Sequence, residues 1–486
     1  MKTTTHFKGI IAAGHRETAR AGHAILEQGG NAFDAAVAAV LASFVCEPSL
    51  TSLGGGGFMN AVQADGTSRI FDFFVQTPQK RKPVEEVEFV ESLINFGTTV
   101  QPQFIGKGSA AVYGCPAGIW DIHQQLGSLP LSVLAEPALN LCREGVEITP
   151  YQAYTISILE PVLLFGTESR ETFGKEGRLI RKGETLFRPR LADTIDAFVR
   201  EGKQLFYEGD IARRYAEDNE QNGGSVSIAD LRAYRMIERE PVRLAYPPYE
   251  VLTNSPPSAG GSMIVHGLSI LKDKKITKVD GAEHLSLLAS VMREMEVFRS
   301  DKLDLMGNTT QVSVLDSKGN AASITSTLGG ASGCNIPGTG VPTNNMLGET
   351  DLHPGGLYQW IGNQRVTSMM SPTIVLKHGK PAIVTGSGGS SRIRTAILQV
   401  LFNLMHHGMS VEEAVQHPRL HWESGVMNLE PGLLSAGEEF QLADTHLIPW
   451  ESKSMFFGGV HTVCLNEDGI PDGLADPRRD GSVLLA

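Results

Sequence analysis

A hydroxyl-bearing hairpin is the stretch of this sequence with the most potential for chemistry. Residues 309–316 predict a strand, residues 317–320 supply turn chemistry and residues 321–327 predict the returning strand. Thr309 therefore stands at the start of the hairpin, and Thr327 on the partner strand can lie beside it. A threonine hydroxyl is a weak nucleophile that needs an adjacent base. Taken alone, the stretch favours an ordinary Thr-rich hairpin, because threonine is common in strands.

Two glycine clusters could present backbone N–H groups to a ligand. Residues 54–57 are four successive glycines, but no Lys-Ser or Lys-Thr pair follows them as it does in a P-loop. Close backbone packing beside a cavity is the favoured interpretation there. Residues 386–391, Gly-Ser-Gly-Gly-Ser-Ser, lead directly into a predicted helix at 392–407. Such N–H groups at a helix start suit a developing negative charge, although the same pattern also forms helix turns without a ligand.

Several predicted elements would have to hold these stretches in place. Residues 9–13 predict a buried strand, and residues 16–28 predict a helix with one apolar side. Asn31 can cap a second helix, with Asp34 in the manner of a capping box. That helix is apolar on nearly all sides and should be buried. A long helix at about 283–299 leads almost directly to the hairpin.

The composition is typical of a soluble globular protein and argues against several classes of partner. The 486 residues carry a formal net charge of −12, which favours neither nucleic acid nor a polybasic membrane surface. The N-terminal residues lack an apolar signal core, and no apolar run is long enough to span a bilayer. The five cysteines are odd in number and widely spaced, which indicates reduced thiols. We therefore expect a cytoplasmic protein.

No metal is expected from the ligand spacings. His417 and His421 are four residues apart, but Pro418 between them interrupts any helical face. The cysteines form no CxxC pair, and Cys334 shows no sign of being a nucleophile. The histidines without a metal-ligand spacing are His353, His406, His407, His417, His421 and His461.

Nine short motifs follow one another through most of the chain. They are Gly-Gly-Asn-Ala-Phe-Asp-Ala-Ala-Val at 29–37, Leu-Gly-Gly-Gly-Gly-Phe at 53–58, Glu-Arg-Glu-Pro-Val at 238–242, Pro-Pro-Ser-Ala-Gly-Gly at 256–261, Thr309-Thr310 with Asp316 and Gly319-Asn320, Asn344-Asn345, Ser-Pro-Thr at 371–373, Thr-Gly-Ser at 385–387 and Asp-Pro-Arg-Arg-Asp-Gly at 476–481. In this order they resemble the γ-glutamyltransferase family of N-terminal-nucleophile hydrolases. One motif alone would be a weak signal, but nine in the family's order are specific.

The resemblance implies an α+β fold, the αββα sandwich with two mainly antiparallel sheets between helical layers. It also implies that the precursor cuts itself, because the Thr309 hydroxyl attacks the Asn308 carbonyl and the resulting ester is hydrolysed. The freed α-amino group, with an ordinary pKa of about 7.7–8.0, would then be the base. Residues 1–308 would form a large subunit and residues 309–486 a small one, together one αββα unit. This heterodimer could associate further.

The same resemblance assigns roles around the nucleophile. Thr327 would hydrogen-bond and orient Thr309, where the alternative is ordinary strand packing. The following glycine loop would be the oxyanion hole. The family's two adjacent glycines can be placed on Gly388 and Gly389 or on Gly389 and Ser390. The chemistry allows both placements, because only main-chain N–H groups act.

Several substrate-binding positions of the family carry different residues here. The arginine that holds the substrate α-carboxylate, in an Asp-Phe-Arg-Glu run, is replaced by Phe74. The asparagine two residues after the second threonine is Gly329, and the polar residue after Asn-Asn is Met346. The aspartate that binds the α-amino group is Glu349, a plausible substitute.

The family's serine pair falls on Ser368 and Met369, so polar groups that grip an amino-acid head have been lost at four positions. Each charge-assisted hydrogen bond is worth about 1.5–3 kcal/mol. We expect the catalytic groups to be kept and the glutamyl clamp to be lost. An acyl group without a full zwitterionic head would then fit, as in the family's cephalosporin-acylase-like branch. Alternatively, a new clamp could come from Arg81, Lys82, Arg365 or Arg392.

Three hypotheses for function follow. The first is a self-processing amidohydrolase or acyltransferase, without a cofactor, that acts on a small γ-glutamyl or related acyl amide. The second is an unprocessed family member that only binds a ligand or partner, which the lost clamp and the short segment before Thr309 favour. The third is a phosphate-binding enzyme that uses residues 54–57. This third hypothesis lacks a nearby lysine or a metal-binding set of carboxylates.

Overall fold

The computed structural model describes residues 7–95, 100–274, 279–298, 309–349, 352–353, 356–434, 440–466 and 468–486. Asn308, predicted to precede the cut, and the short segment before Thr309 lie outside these residues. Within them, no helix is both long and apolar enough to cross a membrane.

Helices account for most of the two outer surfaces of the molecule. Their bounds are α1 Arg16–Glu27, α2 Ala32–Cys46, α3 Cys115–Leu126, α4 Leu131–Glu144, α5 Pro150–Ile158, α6 Glu160–Leu163, α7 Thr167–Phe173, α8 Pro189–Glu201, α9 Gln204–Tyr207, α10 Asp210–Gln221, α11 Ile228–Ala233, α12 Gly260–Leu271, α13 Ala282–Phe298, α14 Arg392–Met405 and α15 Val411–Gln416.

Strands occur along the whole described chain. Their bounds are β1 Gly9–Ala13, β2 Gly56–Val62, β3 Ser68–Phe73, β4 Val90–Asn95, β5 Val100–Ile105, β6 Val146–Glu147, β7 Gly174–Lys175, β8 Arg178–Leu179, β9 Thr185–Leu186, β10 Ile237–Arg239, β11 Val242–Tyr246, β12 Tyr249–Thr253, β13 Thr309–Asp316, β14 Ala321–Thr327, β15 Asn335–Ile336, β16 Val341–Pro342, β17 Thr373–Lys377, β18 Lys380–Thr385, β19 Ser387–Gly388, β20 Leu420–Glu423, β21 Val426–Leu429, β22 His446–Pro449, β23 Gly459–Val460, β24 Thr462–Leu465, β25 Pro471–Leu474 and β26 Ser482–Leu485.

Two antiparallel sheets pack face to face at the centre of the fold. The first has the strand order β10-β3-β2-β14-β13-β1-β26, and the second has the order β11-β12-β17-β18-β24-β25. Apolar side chains from both sheets, such as Leu315 and Ile374, meet in the layer between them. Helices α1 to α3 contact the first sheet, and α4 packs on α2. Helices α12 and α15 contact the second sheet, and α13 and α14 pack on α12. The αββα sandwich predicted from the resemblance is therefore confirmed.

Helix α2 lies against the centre of the first sheet because its sequence is apolar on every side. All 15 of its residues are buried. The predicted capping box is present, since the Asn31 side chain accepts hydrogen bonds from the backbone N–H groups of Phe33 and Asp34. The side chain of Asp34 in turn accepts from the Asn31 backbone N–H at 3.0 Å. This anchored helix supports β13 and β14 from behind.

The predicted hairpin forms with its predicted bounds and occupies the middle of the first sheet. Thr309 pairs with Thr327, and Leu315 pairs with Ala321. Asp316 closes the turn, because its carboxylate accepts hydrogen bonds from the backbone N–H groups of Lys318 and Asn320, both at 2.9 Å. Both faces of the hairpin are buried, one against the helices and one against the second sheet.

Candidate active site

A pocket opens at the end of the hairpin where β13 begins and β14 ends. It contains both threonines of the predicted catalytic pair, together with several residues predicted to bind substrate. Residues from five separate parts of the chain meet here. The lining residues are Phe74, Thr309, Thr327, Met346, Glu349, Leu352, Ser368, Met369, Met370, Ser390 and Ile393.

Strand register brings the two threonines together. Thr309 is the first residue of β13 and Thr327 is the last residue of β14, and the two stand directly opposite each other. Both are only 4% exposed. The Thr327 hydroxyl accepts a hydrogen bond from the backbone N–H of Gly329 at 3.0 Å, which orients that side chain at the end of its strand.

The glycine loop between β18 and α14 lies directly against the backbone of Thr309. A Cβ atom on Gly388 would stand 2.1 Å from the Thr309 carbonyl oxygen, so only glycine allows this approach. Gly389 and Ser390 have φ angles of +130° and +50°, which turn the chain sharply into α14. Ser390 lines the pocket, whereas Gly388 is paired with Gly459 on β23. Main-chain N–H groups at this helix start carry partial positive charge.

A buried ionic network supports the loop from below. The Ser391 hydroxyl donates to the Glu423 carboxylate at 2.7 Å, and the Arg394 guanidinium donates to the same carboxylate at 2.8 Å. Burial alone would raise the pKa of Glu423, but the Arg394 guanidinium and His421 hold it well below its usual range. Burial lowers the pKa of His421 to about 4. The loop is thus attached to an ionised carboxylate at neutral pH.

Glu349 provides a carboxylate in the pocket. Its Oε1 accepts a hydrogen bond from the backbone N–H of Gly330 at 2.7 Å. Gly329 does not line the pocket but stands beside Glu349, with φ of +67°. A Cβ atom on Gly329 would lie 2.4 Å from Glu349 Oε1 and 2.3 Å from Asn345 Oδ1. The missing side chain at Gly329 therefore leaves the space that the glutamate carboxylate occupies.

Much of the remaining pocket wall is apolar. Phe74 is 1% exposed and stacks on Phe58 with ring centroids 5.4 Å apart. Ser368 adds a hydroxyl, whose oxygen accepts a hydrogen bond from the backbone N–H of Met370 at 3.0 Å. The other apolar lining residues are Met346, Leu352, Met369, Met370 and Ile393.

None of the four cations considered for a new clamp is among the described residues that line the pocket. Arg365 pairs with Asp72 at 3.2 Å and donates to the Phe74 carbonyl oxygen at 2.7 Å. Its guanidinium also lies over the Tyr234 ring. Arg392 lies over the Phe456 ring and donates to the Ser391 hydroxyl, while Arg81 and Lys82 donate to backbone carbonyls of Tyr358 and Asn219, respectively.

The glycines at 54–57 are packed against main-chain carbonyl groups rather than arranged around an open space. Cβ atoms on Gly54, Gly55 and Gly57 would lie 2.2 to 2.4 Å from carbonyl oxygens of neighbouring segments. This agrees with the close-packing interpretation. Among the described residues, no group of three or more His, Cys, Asp or Glu side chains is placed to hold a metal ion. Burial raises the pKa of Cys334 to about 12, which makes its thiol a poor nucleophile.

Two charged residues near Thr309 were not predicted from the sequence. Glu47 directly follows α2, and its carboxylate accepts a hydrogen bond from the Thr310 hydroxyl at 2.5 Å. Arg479 donates to the Thr309 carbonyl oxygen at 3.4 Å. A single acidic residue just after a mostly apolar helix was the available signal for Glu47. Arg479 belongs to the motif at 476–481, but that motif did not predict its hydrogen bond to Thr309.

Comparison with known proteins identifies the relatives of this chain. Residues 18–306 and 300–486 match the sequence profile of the family described as Gamma-glutamyltranspeptidase. The chain belongs to this family. One curated relative is the acylase ACY 1 proenzyme of Pseudomonas sp. (strain SE83), which is 30% identical over 99% of this chain and 94% of that protein. Another is the glutathione hydrolase proenzyme of Escherichia coli (strain K12), 30% identical over 97% of this chain and 90% of that protein.

The fold of this chain also resembles those of solved structures. Cephalosporin acylase from Bacillus halodurans superposes with a TM-score of 0.83 at 23% identity, over 98% of this chain and 96% of that one. Helicobacter pylori gamma-glutamyltranspeptidase gives a TM-score of 0.54 at 30% identity, over 59% of this chain and 81% of that one. The chain is therefore a divergent enzyme of the γ-glutamyltranspeptidase family with its αββα fold.

Proposed function

We propose that this protein is a self-processing amidohydrolase or acyltransferase whose nucleophile is Thr309. The proposal is supported chiefly by one observation, the meeting of Thr309, Thr327 and the loop at Ser390 in a single pocket. Cleavage between residues 308 and 309 would produce two subunits, residues 1–308 and 309–486. The new α-amino group of Thr309 would be the general base.

The reaction follows from this arrangement. The Thr309 hydroxyl attacks the carbonyl carbon of a substrate amide and gives its proton to its own α-amino group. Backbone N–H groups of the glycine loop stabilise the tetrahedral oxyanion, and the placement on Gly389 and Ser390 is favoured because Ser390 lines the pocket. The protonated α-amino group then returns its proton to the leaving amine as the carbon–nitrogen bond breaks. Water or a second amine removes the acyl group from Thr309.

The pocket favours an acyl group that carries an amine but no α-carboxylate. Glu349 can pair with an ammonium group, whereas the place of a carboxylate-binding arginine is occupied by the apolar Phe74. A carboxylate on the substrate would lose its hydration against Phe74, Met346 and Met369 without gaining a cation. We therefore propose altered acyl specificity, with the α-carboxylate clamp lost and the amine contact retained through Glu349.

The first experiment is denaturing mass spectrometry of the purified full chain, with N-terminal sequencing of each fragment. We expect two fragments, the smaller of which begins at Thr309. They should elute together under native conditions, because β13 lies between β1 and β14, and β14 in turn pairs with β2. A single intact chain after long incubation at neutral pH would overturn self-processing and favour a binding role. Thr309→Ala is the unprocessed control.

The second experiment separates the two contacts of the amino-acid head. Four p-nitroanilides form a matched set, in which the acyl group is γ-glutamyl, glutaryl, 4-aminobutanoyl or butanoyl. We expect 4-aminobutanoyl to be cleaved with the highest kcat/KM and glutaryl with the lowest. One charge-assisted hydrogen bond of about 1.5–3 kcal/mol corresponds to roughly 10- to 100-fold in rate.

Glu349→Gln keeps an oxygen that can accept from the Gly330 N–H but removes the negative charge. We expect this variant to lose the preference for 4-aminobutanoyl over butanoyl and to leave cleavage of butanoyl nearly unchanged. A wild-type preference for γ-glutamyl or glutaryl over 4-aminobutanoyl would contradict the proposed specificity while leaving the role of Thr309 intact.

A further inference from the structure

A buried carboxylate contacts the nucleophile strand on the side away from the substrate pocket. Side chains alternate along a strand, so Thr309 faces the pocket while Thr310 faces the helices. Glu47 lies at the C-terminal end of α2, and its Oε2 accepts a hydrogen bond from the Thr310 hydroxyl at 2.5 Å. Its Oε1 accepts a hydrogen bond from the hydroxyl of Thr18, on α1, at 2.8 Å. One carboxylate thus connects both helices to the residue next to Thr309.

The hydrogen bond between Glu47 and Thr310 is tightly enclosed by neighbouring residues. A Cβ atom on Gly14, in the turn after β1, would lie 2.5 Å from Glu47 Oε2 and 2.7 Å from the Thr310 hydroxyl oxygen. Glu47 itself is 4% exposed and Thr310 is 3% exposed. Neither group can therefore exchange its partner for bulk water without a movement of the surrounding backbone.

Arg479 holds the same peptide from another direction. Its guanidinium donates to the Thr309 carbonyl oxygen at 3.4 Å and to the Met455 carbonyl oxygen at 3.3 Å. A Cβ atom on Gly388 would stand 3.0 Å from this guanidinium, so Arg479 also borders the glycine loop. The peptide that joins Thr309 to Thr310 is thereby held through its carbonyl oxygen and through the next side chain.

We propose that Glu47, acting through Thr310, is a positioning residue for the Thr309 hydroxyl. The inference rests on the proposed function, in which cleavage makes Thr309 the first residue of its chain. A chain end frays unless side-chain contacts hold it. The bond between Glu47 and Thr310 supplies such a contact one residue away from the nucleophile. A displaced nucleophile loses rate even when the substrate still binds, because reaction requires close alignment of the reacting atoms.

The two threonines that bind Glu47 provide a matched pair of variants. Thr310→Val and Thr18→Val each replace a buried hydroxyl by a methyl group and each remove one donor from the same carboxylate. Only Thr310 lies on the nucleophile strand, whereas Thr18 lies on α1. A purely structural role for Glu47 would give both variants the same loss of activity.

The test uses the full chain and p-nitrophenyl acetate, an activated ester with a minimal acyl group. Activity is expressed per mole of fragment that begins at Thr309, measured by mass spectrometry, and stability is measured by urea unfolding. We expect Thr310→Val to lower kcat at least 10-fold with KM changed less than 2-fold. Thr18→Val should keep kcat within 2-fold of wild type at a similar loss of stability, and Thr310→Ser should restore kcat.

Equal kcat values for Thr310→Val and Thr18→Val would overturn the positioning role. If Thr310→Val does not accumulate as folded protein, Glu47→Asp replaces it, because the shorter side chain draws the carboxylate away from both hydroxyls. Its kcat should then fall at least 10-fold below that of Thr18→Val, and equal values would again overturn the proposal. Failure of the proposed function is distinguishable, since wild type and Thr309→Ala would then release p-nitrophenolate at the same rate.

Discussion

At the scale of single residues, side chains that are missing are as informative as those that are present. Gly388 allows the loop to touch the Thr309 carbonyl group, and Gly329 leaves the space that Glu349 fills. Phe74 places an apolar ring in the pocket wall. Each of these three residues thus affects the shape of the site through the size of its side chain.

Gly388→Ala should strongly reduce activity. The added Cβ would meet the Thr309 carbonyl oxygen at 2.1 Å, so the loop or the nucleophile strand must move. We expect kcat/KM for the preferred p-nitroanilide to fall at least about 100-fold, as when an oxyanion donor is lost. Ser390→Ala is the control, since it keeps every main-chain N–H group, and its kcat/KM should stay within about 3-fold. A loss of equal size in Ser390→Ala would contradict a main-chain oxyanion hole.

At the scale of elements, a polar layer between the sheets aligns the hairpin with the glycine loop. The Gln311 side chain donates to the Ser323 hydroxyl at 2.9 Å and accepts from the Thr325 hydroxyl at 2.6 Å. Ser323 donates to the Thr385 carbonyl oxygen at 2.7 Å, one residue before the loop begins. Because buried polar groups must find partners, this layer specifies how the two sheets face each other.

Asp316 stabilises the hairpin and its supporting helix together. Its carboxylate accepts from the backbone N–H groups of Lys318 and Asn320 and from that of Ala32, the first residue of α2, at 3.0 Å. We expect Asp316→Ala to lower the free energy of unfolding by about 3 kcal/mol, because one buried donor and several half-buried donors lose a charged acceptor.

The measurement for Asp316→Ala is urea unfolding in the Thr309→Ala background, which keeps the protein as one chain. Asp65→Ala is the matched control, since Asp65 also accepts a turn N–H group, that of Thr67 at 2.8 Å, but is exposed. This control should lose about 1 kcal/mol or less. Equal losses in the two variants would show that the link from the hairpin to α2 adds nothing to stability.

At the scale of the whole molecule, burial of titratable groups makes stability depend on pH. Four buried histidines have their pKa lowered from 6.5 to about 4, chiefly by desolvation. Between pH 4 and 6.5 the unfolded chain therefore binds more protons at these sites than the folded chain. Glu47 acts in the opposite direction, because burial raises its pKa from 4.5 to about 7. The histidines are His15, His284, His421 and His461.

We expect the free energy of unfolding to fall as the pH is lowered from 6.5 towards 4.5. Each such group contributes about 1.4 kcal/mol per pH unit, and four histidines opposed by one glutamate give a net slope of roughly 4 kcal/mol per unit. Urea unfolding of Thr309→Ala across this range measures the slope. His284→Gln should reduce the slope by about 1 kcal/mol per unit, because it removes one of the four histidines. Stability that is constant down to pH 4.5 would contradict the expectation.

The local features of this protein could be predicted from its residues alone. The alternation of residues 309–327 predicted the hairpin and its bounds, and Asn31 and Asp34 predicted the start of α2. The ordered motifs predicted the family and named most of the residues that line the pocket. These features depend on periodicity, capping chemistry and residue type, all of which act over a few neighbouring positions.

The contacts between distant groups could not be predicted in this way, because they depend on the packing of the whole chain. The pairing of Glu47 with Thr310 joins residues 263 positions apart. Arg365 pairs with Asp72 and is not among the residues that line the pocket. Glu349 fills the space beside Gly329 and gives the pocket a carboxylate. A local pattern indicates which face of an element is buried, but the partner on that face depends on how the sheets and helices pack.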